Sequence, residues 1–99
     1  MKVELLYLDG CPHWRLAEER LTTALRLANR PDVAVVRRRV ATDAQAAALG
    51  FVGSPTVLID GRDPFATGGE SFGLACRVFR TAAGFGGAPT IEQLVEAVS

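Results

Sequence analysis

The residues of this chain best suited to chemistry are its two cysteines. Cys11 stands in Leu8–Asp9–Gly10–Cys11–Pro12–His13–Trp14, between an apolar run and a helical pattern, and Cys76 lies far downstream in Leu74–Ala75–Cys76–Arg77–Val78. A thiolate, not a thiol, attacks disulfides and binds soft metals. The start of a helix carries unpaired N–H groups and a partial positive charge, and both favour a thiolate at Cys11. His13 and Arg15 are close enough in sequence to add to that effect, whereas Asp9 opposes it by like charge. His13 on a helix surface is equally a plain surface residue. Trp14 either shields the thiolate and packs on a substrate or belongs to the core. Cys11, His13 and Cys76 make three candidate ligands without a fourth, so no structural zinc site is expected.

Cys76 has two readings. It is either a small apolar residue of a buried strand or a resolving partner for Cys11. If residues 74–80 form a regular strand antiparallel to its neighbour, Cys76 falls on the order of 10 Å down that strand from Cys11. A disulfide requires Cα atoms within roughly 7 Å.

The elements that must position these groups follow from the pattern. Val3–Leu8 reads as a buried strand, broken by Asp9–Gly10. Pro12 suits the opening of a helix, and Ala17, Leu21, Ala24, Leu25 and Ala28 form its apolar face up to Asn29–Arg30–Pro31. Val33–Val40 is a second strand. Its consecutive Arg37, Arg38 and Arg39 either blunt a sheet edge or form an anion site, and alternation to two faces favours the edge. Thr42–Asp43–Ala44–Gln45 and Thr90–Ile91–Glu92–Gln93 are capping boxes for helices over 43–49 and from 91 onward. Thr56–Asp60 and Leu74–Arg80 read as third and fourth strands, separated by a Gly-rich loop over 61–73, and Ala83–Gly87 reads as a turn. The expected order is β-α-β-α-β-β-α, an α/β domain spanning residues 1–99 with a four-stranded mixed sheet flanked by helices.

A strand, then Cys11–Pro12–His13–Trp14 opening a helix, then Gly53–Ser54–Pro55–Thr56 before a later strand, resembles the thioredoxin and glutaredoxin superfamily. The resemblance implies a thioredoxin-like fold with a cis Pro55 beside the reactive cysteine. It also implies that Ser54 offers its backbone to an extended thiol substrate. On this basis Pro12, His13, Trp14, Ser54, Pro55 and Thr56 are candidate substrate-binding residues, with Cys11 and Cys76 the candidate catalytic ones. The superfamily's dithiol members carry a second cysteine where this chain has Trp14. The resemblance therefore points to the monothiol, glutathione-dependent type, with glutathione as co-substrate and no other cofactor. Gly86–Gly87 is a loose counterpart of that type's glutathione-binding glycines. The stretches Leu6–Pro12, Gly53–Phe65 and Cys76–Thr81 also resemble small bacterial thioredoxin-like proteins grouped beside alkylmercury lyases. That likeness implies lyase-like activity using Cys11, Cys76 and Asp9. The thiols themselves leave a second alternative, non-catalytic thiolate binding of a soft metal such as mercury, copper or a glutathione-held iron–sulfur cluster. A thioredoxin-like interaction module without chemistry is the remaining alternative.

The totals narrow the partners. Eleven Lys and Arg balance eleven Asp and Glu, which argues against a general nucleic-acid or membrane-surface binder. No apolar run reaches spanning length, and the first residues lack a signal-peptide pattern. A cytoplasmic protein acting on a small thiol or a protein thiol is expected, its two cysteines free or redox-active.

Overall fold

A computed structural model describes residues 1–66 and 72–99. The chain forms a small α/β domain with a mixed sheet and three helices. Its elements are β1 (Val3–Tyr7), α1 (His13–Leu27), β2 (Val35–Arg39), α2 (Asp43–Leu49), β3 (Thr56–Ile59), β4 (Phe79–Thr81), β5 (Gly84–Gly86) and α3 (Ile91–Val98).

The apolar run of β1 becomes the central strand. It pairs parallel with β2 and antiparallel with β3, giving the order β2-β1-β3. Both faces of β1 are covered, as its apolar residues on both faces require, and its one charged residue, Glu4, is buried against Arg38. On one face Val3 and Leu5 meet Trp14, Ala17, Leu21, Ala24 and Leu25 of α1 and Leu94 and Val98 of α3. On the other face Leu6 and Leu58 pack with Val40, Ala46 and Phe51, under α2. The helix signals act locally. Thr42 and Gln45, and likewise Thr90 and Gln93, make reciprocal capping bonds, and Gly50 closes α2 in the left-handed conformation at φ 71°.

β2 is an edge strand, and each of its arginines meets a carboxylate. Arg37 forks onto Glu18, Arg38 binds Glu4 at 2.8 Å, and Arg39 lies 3.2 Å from Asp9. The three point to different partners and make no common anion site, in line with the edge reading.

The expected four-stranded sheet is corrected. Among the described residues three strands form the sheet, while β4 and β5 pair with each other as a separate hairpin. The fourth strand begins at Phe79, not Leu74, because residues 74–78 make no ladder and only an isolated backbone bridge, between Cys76 and Ser54, among the described residues. The expected turn at 83–87 contains β5. The loop foreseen over 61–73 includes 67–71, which lie outside the described residues. Among the described residues no helix is long and apolar enough to cross a membrane.

Candidate functional site

The site is built around Ser54, which is fully buried. Its hydroxyl oxygen accepts the N–H of Leu8 at 3.0 Å and so ties the end of β1 to the loop before β3. That bond sets the height of the turn in which the N–H of Cys11 donates to the carbonyl of Leu8. The backbone of Ser54 is engaged as well. Its N–H donates to the carbonyl of Ala75 at 2.8 Å, and its carbonyl accepts the N–H of Arg77 at 2.9 Å. These two bonds lay residues 75–77 beside Ser54 in parallel register and present Cys76 to Cys11.

Gly53 makes that approach feasible. Its φ is 126°, and a Cβ there would come within 2.9 Å of the Arg77 Cβ. Arg77 is then fixed from its far side. Its guanidinium pairs with Asp63 at 2.6 Å, both side chains being nearly buried, and lies 4.6 Å from the centre of the Phe79 ring.

The two thiols are thereby brought together. Cys76 Sγ lies 2.7 Å from Cys11 Sγ, inside the van der Waals contact of two sulfurs, and the Cys11 thiol donates to the carbonyl oxygen of Ser54 at 3.5 Å. Both cysteines are free thiols, and their separation exceeds a disulfide bond length of about 2.05 Å. Cys11 is 1 % exposed, whereas Cys76 faces solvent. The Cys76 thiol is held above its ordinary value, first by its hydrogen bond to Cys11, then by desolvation, then by the like charge of Cys11. A cavity of about 420 Å³ reaches both sulfurs and is walled by Leu8, Val40, Leu74 and the Asp9–Arg39 pair.

The expected separation on the order of 10 Å is therefore corrected. It assumed a regular strand through Cys76. The chain instead follows the edge of Ser54, and the sulfurs meet.

The other candidates divide. Pro55 follows a cis peptide bond, as expected, and is fully buried beside Ser54. Thr56 is buried with its hydroxyl donating to the carbonyl of Gly53 at 2.7 Å, so it braces the turn. The backbone of Ser54, expected to serve a substrate, is occupied by residues 75–77 of the same chain. Pro12 and His13 are exposed at the start of α1. Gly87 lies so close under the His13 ring that a Cβ there would come within 2.5 Å of it, which gives the second glycine of Gly86–Gly87 a packing role. Trp14 is core. It is 7 % exposed, stacks on Tyr7 at 4.4 Å and carries Arg15 and Arg37 over its ring.

Three residues of the site were not singled out from the sequence: Gly53, Asp63 and Arg77. A glycine directly before Ser54–Pro55 was the available signal for a close backbone approach. Asp63 and Arg77 gave none, since opposite charges far apart in a sequence are usually solvated. Comparison with known proteins finds no family model, no curated protein and no solved structure that matches this chain.

Proposed function

We propose that the chain is a thiol–disulfide redox protein of thioredoxin-like architecture, in which Cys11 and Cys76 interconvert between dithiol and disulfide. The observation that carries this reading is the 2.7 Å contact between sulfurs 65 positions apart in sequence. Neighbouring elements hold that contact through paired backbone bonds and a buried ion pair. With Cys76 at hand, glutathione is not needed to resolve a mixed disulfide, and it becomes an external thiol or disulfide like any other. We assign the protein to the cytoplasm, where low-molecular-weight thiols would return it to the dithiol form.

Exposure divides the roles in the reverse of the sequence expectation. Cys76 is accessible and takes the incoming disulfide, while buried Cys11 resolves. Loss of one proton from the pair leaves the other between the two sulfurs. With that proton on Cys11, the Cys76 thiolate attacks one sulfur of RSSR′, forms Cys76–S–S–R and expels R′S⁻. Cys11 then gives up its proton and attacks Cys76 Sγ, and RS⁻ leaves. Dithiol plus RSSR′ becomes the Cys11–Cys76 disulfide plus RSH and R′SH, with the protein oxidised by two electrons.

The test is to treat the reduced protein with glutathione disulfide and follow the masses of its peptides. The expected product is an intramolecular Cys11–Cys76 disulfide in the wild type and a persistent glutathione adduct on Cys76 in Cys11→Ser. Adducts that never resolve in the wild type would reject the pair, and unreactive thiols would leave an interaction module. The same two sulfurs give a second reading, capture of a soft cation between two thiolates. It requires the sulfurs to open from 2.7 Å, since metal–thiolate bonds are about 2.3 Å each. Equilibrium dialysis with Cu(I) against Cys76→Ser tests it.

A further inference from the structure

We infer that the substrate sulfur leaves on the side of Cys76 opposite Cys11, into a groove formed by Val52, Phe65, Val78, Phe79, Arg80 and Phe85, and that this groove selects peptide disulfides whose cysteine is flanked by bulky apolar residues. The inference rests on the redox reading above and adds the class of substrate.

The argument begins with the geometry of disulfide exchange. A thiolate displaces a thiolate at sulfur in line, so attacking, central and leaving sulfurs lie close to one straight line. In the resolving step Cys11 attacks Cys76 Sγ. Cys11 borders the cavity of about 420 Å³ that it shares with Cys76. Cys76 also borders a second cavity, of about 490 Å³, in whose lining Cys11 takes no part. Of the two cavities at Cys76, this second one is not bordered by the attacking Cys11, so it is the space open to the leaving group.

The chemistry of this groove differs from that of the shared cavity. Phe65 and Phe79 meet edge to face at 5.6 Å and form a fixed aromatic wall. The Arg77 guanidinium behind Phe79 is already neutralised by Asp63. Val78 is 66 % exposed and Phe85 77 % exposed, an apolar surface that a bound partner would remove from water. Leu74, also exposed, lies in the wall of the cavity that Cys76 shares with Cys11. Apolar side chains in both cavities at the receiving sulfur extend farther than one small thiol covers, which favours a polypeptide. Among the described residues of the groove, Arg77 is already paired with Asp63 and Arg80 is the remaining cation beside apolar side chains.

The test uses two short peptide disulfides, one with Phe and Leu beside the cysteine and one with Ser in both places. The rate at which each converts the reduced protein to the Cys11–Cys76 disulfide is measured. The apolar peptide should react about tenfold faster with the wild type, the gain expected from burying part of one or two large side chains. The advantage should shrink to about threefold or less in Val78→Ser/Phe85→Ser, whose changes lie on the surface and leave both thiols in place. Equal rates with the wild type, or a preference that survives in the double variant, would overturn the inference and leave the redox reading standing. Failure of both peptides and of glutathione disulfide to produce the Cys11–Cys76 bond would overturn the two together. A wild-type dimer that becomes monomeric in the double variant, with peptide preference unchanged, would assign the groove to a second copy of the chain and reject the inference.

Discussion

At Cys76 exposure and proton affinity pull in opposite directions. The sulfur faces solvent, yet its S–H is engaged by Cys11 and its titration is displaced upward, chiefly by that hydrogen bond. A raised value means a smaller thiolate fraction at any pH below it, and alkylation follows the thiolate. Removing the acceptor should reverse the effect. In Cys11→Ala the pH midpoint for alkylation of Cys76 should fall toward that of an ordinary cysteine, and the rate near neutrality should rise. Iodoacetamide labelling against pH, read by mass spectrometry, checks this, and an unchanged midpoint would show that the contact does not hold the proton. Ser54 is a second residue whose effect is separable. Its hydroxyl takes the N–H of Leu8 in a partly buried setting. Ser54→Ala strands that donor and should cost about 1–2 kcal/mol, measurable as a lower urea midpoint, while the backbone bonds to Ala75 and Arg77 remain.

The stretch that delivers Cys76 is not a strand of the main sheet. It is an extended segment pinned by two backbone bonds to Ser54 and by the Asp63–Arg77 pair. Breaking a buried ion pair by removing one partner leaves an uncompensated charge and costs about 3 kcal/mol or more. Asp63→Asn and Arg77→Met should each show that loss in thermal or urea unfolding. The double variant should recover at least half of it, since neither charge then remains. Both single variants should also slow closure of the Cys11–Cys76 bond, because Arg77 adjoins Cys76. Local signals in the sequence were reliable guides to the elements. The capping pairs Thr42–Gln45 and Thr90–Gln93 set α2 and α3 because each acts within four residues, and the apolar run of Val3–Leu8, interrupted only by Glu4, marked the central strand. The segment around Cys76 was not legible in this way. Leu74–Arg80 has strand composition, but its course depends on the missing side chain of Gly53 and on a charge partner at Asp63, both remote in sequence. The candidate site was accordingly half readable: Cys11 beside Ser54 and Pro55 followed from motif order, whereas the meeting of Cys11 and Cys76 followed from tertiary geometry alone.

At the scale of the whole molecule, the two sulfurs join opposite ends of the chain. Cys11 follows the central strand, and Cys76 precedes the hairpin of β4 and β5, 65 positions later. The core they bridge is modest, divided between the two faces of a three-stranded sheet. A cross-link across a loop of that length restricts the unfolded chain by about 4 kcal/mol in the chain-entropy account, before any strain in the folded form is subtracted. For a domain of this size that corresponds to a rise in Tm on the order of 15 °C. Oxidised wild type should therefore melt well above the reduced protein, and Cys76→Ser should melt at one temperature with or without dithiothreitol. The comparison also reports on redox poise. A disulfide that stabilises the fold is, by the same cycle, stabilised by it, and so resists reduction. If the reduced form melted higher, the folded chain would favour the dithiol, and the pair would be an oxidant that passes its disulfide on. Differential scanning calorimetry of both forms separates these directions, and equal melting temperatures would mean that the fold has no preference between them.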